Sequence, residues 1–169
     1  SVMALNFKYR KRYKIAKKYI LKAISINPNS GQYYLNLADI LIDLGEIKQG
    51  ALAYLKAIKV QPRLTKPYHM LAILNTDLIP KEWVKTLFSE EFLCNQNDIN
   101  KVDIYFARAN VLRNDCNFFE SSKMYKLAND LSQKVYSSNY EQTLVHMKKY
   151  LGIYRKIPIT DIQYDEEKL

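Results

Sequence analysis

Residues 19–41 read YILKAISINPNSGQYYLNLADIL, and thirty-four residues further on the chain reads AYLKAIKVQPRLTKPYHMLAILN. Leu21, Lys22, Ala23, Ile24, Pro28, Tyr34, Leu37 and Ala38 recur as Leu55, Lys56, Ala57, Ile58, Pro62, Tyr68, Leu71 and Ala72. Eight identities in 23 aligned positions are far above chance agreement. A unit this short cannot cover its own apolar face. A second copy stacked at a fixed period can, so a repeated unit predicts an elongated array whose units wall one another.

The spacing inside the unit is helical. Tyr34, Leu37, Ala38 and Leu41 fall at three- and four-residue steps and the run ends at Gly45, a residue suited to the left-handed position that closes a helix. Ile47, Ala51, Tyr54, Leu55 and Ile58 place a second apolar face before Pro62. Only 4 Gly and 5 Pro punctuate 169 residues, too few for an all-β chain with frequent turns. The expectation is all-α, with helices in antiparallel pairs.

These residues resemble the tetratricopeptide repeat (TPR) family. Its pattern sets an aromatic, Leu and a small residue on a first helix, then a small residue, an aromatic, Ala and a closing Pro on a second. Tyr34, Leu37, Ala38, Leu41, Gly50, Tyr54, Ala57 and Pro62 fill those slots. The resemblance implies a short right-handed solenoid, with residues 1–78 as repeats and 29–62 the most regular. The first unit, with Met3, Ala4 and Phe7 before Ala16, Ile20, Ala23 and Pro28, begins in mid-repeat, as a piece cut from a longer protein would; a start at Met3 is the competing reading. Residues 79–97 are expected to be a degenerate second helix, keeping Trp83, Val84, Leu87, Phe88 and Phe92 but setting Glu91 where Ala belongs. Residues 98–133 are an out-of-frame helix pair carried by Tyr105, Ala109, Leu112, Ser121, Tyr125 and Ala128, with Arg108 in place of the usual Leu. A capping helix over 138–156 and a linker-like tail over 157–169 complete the expectation.

Charge is concentrated at one end. Of the formal net charge of +9, residues 1–28 supply +8 through Lys8, Arg10, Lys11, Arg12, Lys14, Lys17, Lys18 and Lys22, with no acidic residue among them. Such a cluster is a solvated helix face or, with Tyr9, Tyr13 and Tyr19 interleaved, a contact for nucleic acid or another acidic surface. No apolar run approaches the ~20 residues of a membrane span, and no secretory signal pattern follows the basic stretch. Cys94 and Cys116 read as reduced thiols, which sets the expected location in the cytoplasm.

Chemistry is sparse. His69 and His146 lack metal-ligand spacing, no Gly-flanked nucleophile turn occurs, and the four glycines are too scattered to cradle a phosphate. No catalytic site, metal site or cofactor site is expected within residues 1–169. The TPR resemblance instead implies a protein or peptide held in the concave groove lined by first helices. By slot, Asn36, Asp39, Asp43, Lys66, His69 and Ile73 face it.

The run KTLFSEEFLCNQNDINKVDIYFARANVLRNDCNFFESSKMYKLANDL is similar to the segment that precedes the catalytic domain in bacterial TPR-containing sulfotransferases; the likeness lies in residues 86–131. It implies an adjacent sulfotransferase domain using the donor PAPS. The Arg-Ser-Gly-Thr-type loop that binds PAPS does not occur before Leu169, so no catalytic residue carries over. A free-standing TPR adaptor and a polyanion-binding module are the alternatives.

Overall fold

A computed structural model describes residues 2–74 and 80–154, with side chains up to residue 137. Among the described residues it is helical throughout, in the order α1 (Val2–Tyr9), α2 (Tyr13–Ile26), α3 (Gly31–Asp43), α4 (Ile47–Val60), α5 (Lys66–Leu74), α6 (Lys81–Phe88), α7 (Glu90–Cys94), α8 (Asp98–Asn114) and α9 (Phe118–Tyr154). The chain divides into two compact units, Ser1–Leu131 and Ser132–Leu169. The packing described below belongs to the first. No described helix is long and apolar enough to cross a membrane.

Three of the helix pairs form because their first helices, α1, α3 and α8, end in the same turn. After α3, Gly45 adopts φ +79, its N–H donates to the Ile42 carbonyl at 2.9 Å, and the Glu46 N–H reaches back to Leu41 O at 2.8 Å. That pair of bonds is the Schellman motif. It recurs after α1, where Lys11 has φ 56 and Arg12 N–H donates to Phe7 O at 2.9 Å. It occurs again after α8, where Cys116 has φ 58 and Asn117 N–H donates to Leu112 O at 2.8 Å. Each turn reverses the chain and lays the second helix against the first.

Small residues let the paired helices approach. Gly50 is buried on α4, and a Cβ there would sit 2.6 Å from Ile42 Cδ1. On α9, buried Ser121 takes the equivalent slot and its hydroxyl donates to Ala109 O at 2.8 Å. Ala4, Ala16, Ile20 and Ile40 form one core under α1–α3. A larger one runs from Leu35 through Tyr54, Tyr68, Leu71, Trp83 and Leu87 to Ile104. Tyr68 holds the middle of it, stacked on Trp83 at 5.4 Å and tilted against Phe92 at 5.0 Å. Its hydroxyl donates to Pro62 O at 3.2 Å. Burial raises its pKa to about 12.

Three expectations need correction. Ile47, assigned to the apolar face of its helix, is exposed. The second helix expected over 79–97 is broken at Ser89, which is extended at φ −72, ψ 140 and caps α7 through its side chain. The break is filled by Arg108. Only 5% exposed, it donates from Nε to Leu87 O at 2.9 Å and from a terminal nitrogen to Ser89 O at 3.0 Å. Its guanidinium also lies over the Phe88 ring and 3.6 Å from Glu90. The new direction of α7 leaves Glu91 exposed, so an acidic residue in an Ala slot costs nothing there. Lastly, the helix expected over 138–156 has no start of its own, because α9 runs on through residues 133–138. The tail 157–169 lies outside the described residues.

Candidate partner-binding face on the first helices

Three successive first helices meet at Asp39. From α1, Lys8 Nζ approaches Asp39 at 3.2 Å and Asp43 at 3.5 Å. From α5, Lys66 approaches Asp39 at 3.7 Å. From the second helix behind, the Tyr54 hydroxyl donates to Asp39 Oδ1 at 2.6 Å. Burial first, then this hydrogen bond and the charges of Asp39 and Asp43, push the Tyr54 pKa well above the usual phenol value. Together with Ile42 and Met70 these side chains line a cleft of about 190 Å³. Two cations face two carboxylates, so the cleft is close to neutral.

The strip continues from α5 to α8. Thr65 donates its hydroxyl hydrogen to Asp103 at 3.1 Å, and His69 Nδ1 lies 3.6 Å from the same carboxylate. The imidazole stacks on Phe106 at 5.4 Å with 13° between planes. Phe106 in turn meets Tyr125, whose hydroxyl donates to Asn110 Oδ1 at 3.0 Å.

Of the six residues assigned to the groove by slot, Asp39, Asp43, Lys66 and His69 thus form ion pairs or contacts among themselves and with Lys8 and Asp103. Asn36 is 6% exposed and accepts from Gln32 at 3.1 Å; it supports the helix rather than meeting solvent. Ile73 stands apart, apolar and 46% exposed.

Lys8, Asp103, Phe106 and Asn110 were not singled out for this face. The signal for three of them was present. Counted from Tyr105 as Lys66, His69 and Ile73 are counted from Tyr68, the equivalent residues are Asp103, Phe106 and Asn110.

The basic cluster separates into two groups. Lys8 is committed to Asp39 and Asp43, and Lys17 donates to both oxygens of Glu46 at 2.9 and 2.7 Å. Arg10, Lys11, Arg12, Lys14, Lys18 and Lys22 are exposed and enter no ion pair among the described residues.

Helix pairs closed by the same turn and joined through their first helices are the architecture of a known repeat. Residues 3–30 and 31–64 each match the family model for the tetratricopeptide repeat. These two segments are tetratricopeptide repeats. The first comprises α1–α2 and the second α3–α4, and the ion cluster at Asp39 links the two through Lys8. Helices α5–α9 lie beyond the matched residues. No curated protein matches the chain. Tetratricopeptide repeats make the chain a protein-interaction scaffold in the general sense, since stacked helix pairs present a continuous surface to partners.

Proposed function

We propose that the chain binds a peptide segment of a partner protein across the first helices α1, α3, α5 and α8. The observation that carries this reading is the strip from Lys8 through Asp39, Lys66, His69 and Asp103 to Phe106, which comes from all four of those helices and from no second helix. Its charges are paired within the chain, so a partner gains little from opposite charge alone. Apolar contact at Ile73 and Met70, with hydrogen bonds to the amphipathic side chains around them, supplies the affinity. Peptides selected from a random library on the intact chain should lose binding to Ile73→Arg and His69→Ala and keep it with Lys48→Ala. Equal binding to all three variants would place the peptide elsewhere.

A second reading concerns what this scaffold serves. The similarity of residues 86–131 to the segment before the catalytic domain of TPR-containing sulfotransferases supports a parent enzyme of that kind. The repeats would then present an acceptor protein, and PAPS would bind in the adjoining domain. The coding sequence downstream of Leu169 tests it. A strand followed by an Arg-Ser-Gly-Thr-type turn into a helix is expected; further repeats there would leave an adaptor instead.

A further inference from the structure

The exposed half of the basic cluster has a geometry of its own. Lys14, Lys18 and Lys22 are four residues apart along α2, which stacks them on one face with a rise of about 6 Å between neighbours. Lys11, Arg10 and Arg12 extend the row into the α1–α2 corner. A cleft opens at each end of the row. At the corner, Lys11, Arg12, Tyr13, Lys14, Ile15 and Leu44 enclose about 480 Å³. At the other end, Lys22 shares a space of about 400 Å³ with Tyr19, Tyr33 and the aliphatic side chains of Met3 and Ile26. Tyr9 stands beside the corner, 87% exposed.

We propose that this face of α2 binds single-stranded nucleic acid, with the lysine row on the phosphates and the two aromatic-lined clefts taking bases. Charge sets the sign of the partner, because the row enters no ion pair among the described residues and the remaining 141 residues carry a net charge of only +1. Linear order sets its shape. Cations at regular intervals along a helix track a linear polyanion, and the interval is close to that between successive phosphates of an extended strand. The clefts set its chemistry. Tyrosine faces beside cations are stacking platforms for bases of any identity, whereas a polyglutamate segment has no planar group to place in them. An anionic membrane is the competing partner, because Tyr9 and Ile26 at the two ends of the row are 87% and 76% exposed; the vesicle arm of the test separates the two. This surface is distinct from the first-helix strip, and either can fail without the other.

The test is binding of a fluorescent twelve-nucleotide oligouridylate to the intact chain at several salt concentrations. Four phosphate contacts predict affinity falling about 50-fold between 50 and 200 mM salt. The variant Lys14→Gln/Lys18→Gln/Lys22→Gln should bind at least about tenfold more weakly. Lys48→Gln/Lys59→Gln/Lys126→Gln, which removes the same charge elsewhere, should bind as the parent does, with far-UV circular dichroism confirming that both fold. Equal weakening by the two triple variants would overturn the proposal, because net charge alone would then account for binding. Stronger binding to a glutamate twelve-mer or to phosphatidylserine vesicles than to the oligonucleotide would overturn it as well, as would no binding at 50 mM salt.

Discussion

Cys116 stands in the backbone position of Gly45. Both follow a first helix, both take positive φ (58 and 79), and both close the same pair of helix-end hydrogen bonds. For an L residue with a side chain that conformation costs about 1–2 kcal/mol. The Cβ that costs energy in this backbone conformation is absent at Gly45, where an added one would meet nothing within 4 Å.

Cys116→Gly should therefore stabilise the chain by about 1 kcal/mol, since relief of strain outweighs the added freedom of the unfolded chain. Gly45→Ala should destabilise it by a similar amount, and for a reason that is purely conformational. Thermal unfolding monitored by circular dichroism should show shifts of about 2–4 °C in opposite directions. Shifts of the same sign would mean that the two turns are not equivalent.

Restoring the usual repeat residue at Arg108 should do harm. Arg108→Leu fits the family pattern but takes the Arg108 donor from the Leu87 carbonyl and leaves the Ser89 carbonyl with only the Leu93 N–H at 3.4 Å. The expected loss is about 2–3 kcal/mol in denaturant unfolding. A neutral or stabilising result would show that the carbonyls find other partners and that the break at Ser89 does not depend on this side chain.

Asp39 and Asp43 look alike in the sequence and should behave differently. Asp39→Ala removes the acceptor of Tyr54 and leaves Lys8 and Lys66 without their shared counter-charge, at a cost of about 2–3 kcal/mol. Asp43→Ala removes one half-exposed ion pair at 3.5 Å and should cost less than about 0.5 kcal/mol. Matching losses from the two variants in urea titrations would contradict the central place of Asp39.

Alkali should unfold the chain through its buried tyrosines. Tyr68 has its pKa raised from 10.0 to about 12 in the folded state, so its contribution is complete below pH 10. Above that the unfolded chain releases the proton first, and stability falls between pH 10 and 12, by up to about 1.4 kcal/mol per pH unit. Tyr54 shifts in the same direction. Urea midpoints measured from pH 9 to 11.5 should fall less steeply in Tyr68→Phe than in the parent chain.

The helix pairs were legible because their signals are local. Apolar spacing and Gly45 mark one hairpin, and a 34-residue recurrence marks its neighbour. The turns at Lys11 and Cys116 were not legible, since nothing in those side chains advertises positive φ; the backbone bonds of the turn impose it. Arg108 read as a missing Leu because its partners lie 19 and 21 residues away and become neighbours only once α6 and α8 pack. The expected separation of the 98–133 pair from a helix over 138–156 does not appear, because α9 keeps its own backbone bonds through residues 133–138. At the candidate face, slot counting named Asp39, Lys66 and His69, which pair with Lys8 and Asp103 there. It missed Lys8, whose pairing depends on how α1 lies over α3.

The hold of Arg108 on the end of α6 makes the array indivisible at that point. Repeats that meet only through apolar faces can be removed from one end, each leaving its neighbour whole. Here the third pair borrows the donors for its own helix terminus from the fourth. A chain cut before α8 would lose more than a covering surface: the Leu87 carbonyl in the last turn of α6 would lose the Arg108 donor, and the Ser89 carbonyl just beyond it would keep only the longer bond from the Leu93 N–H at 3.4 Å. Folding of the two pairs is thereby tied into a single event.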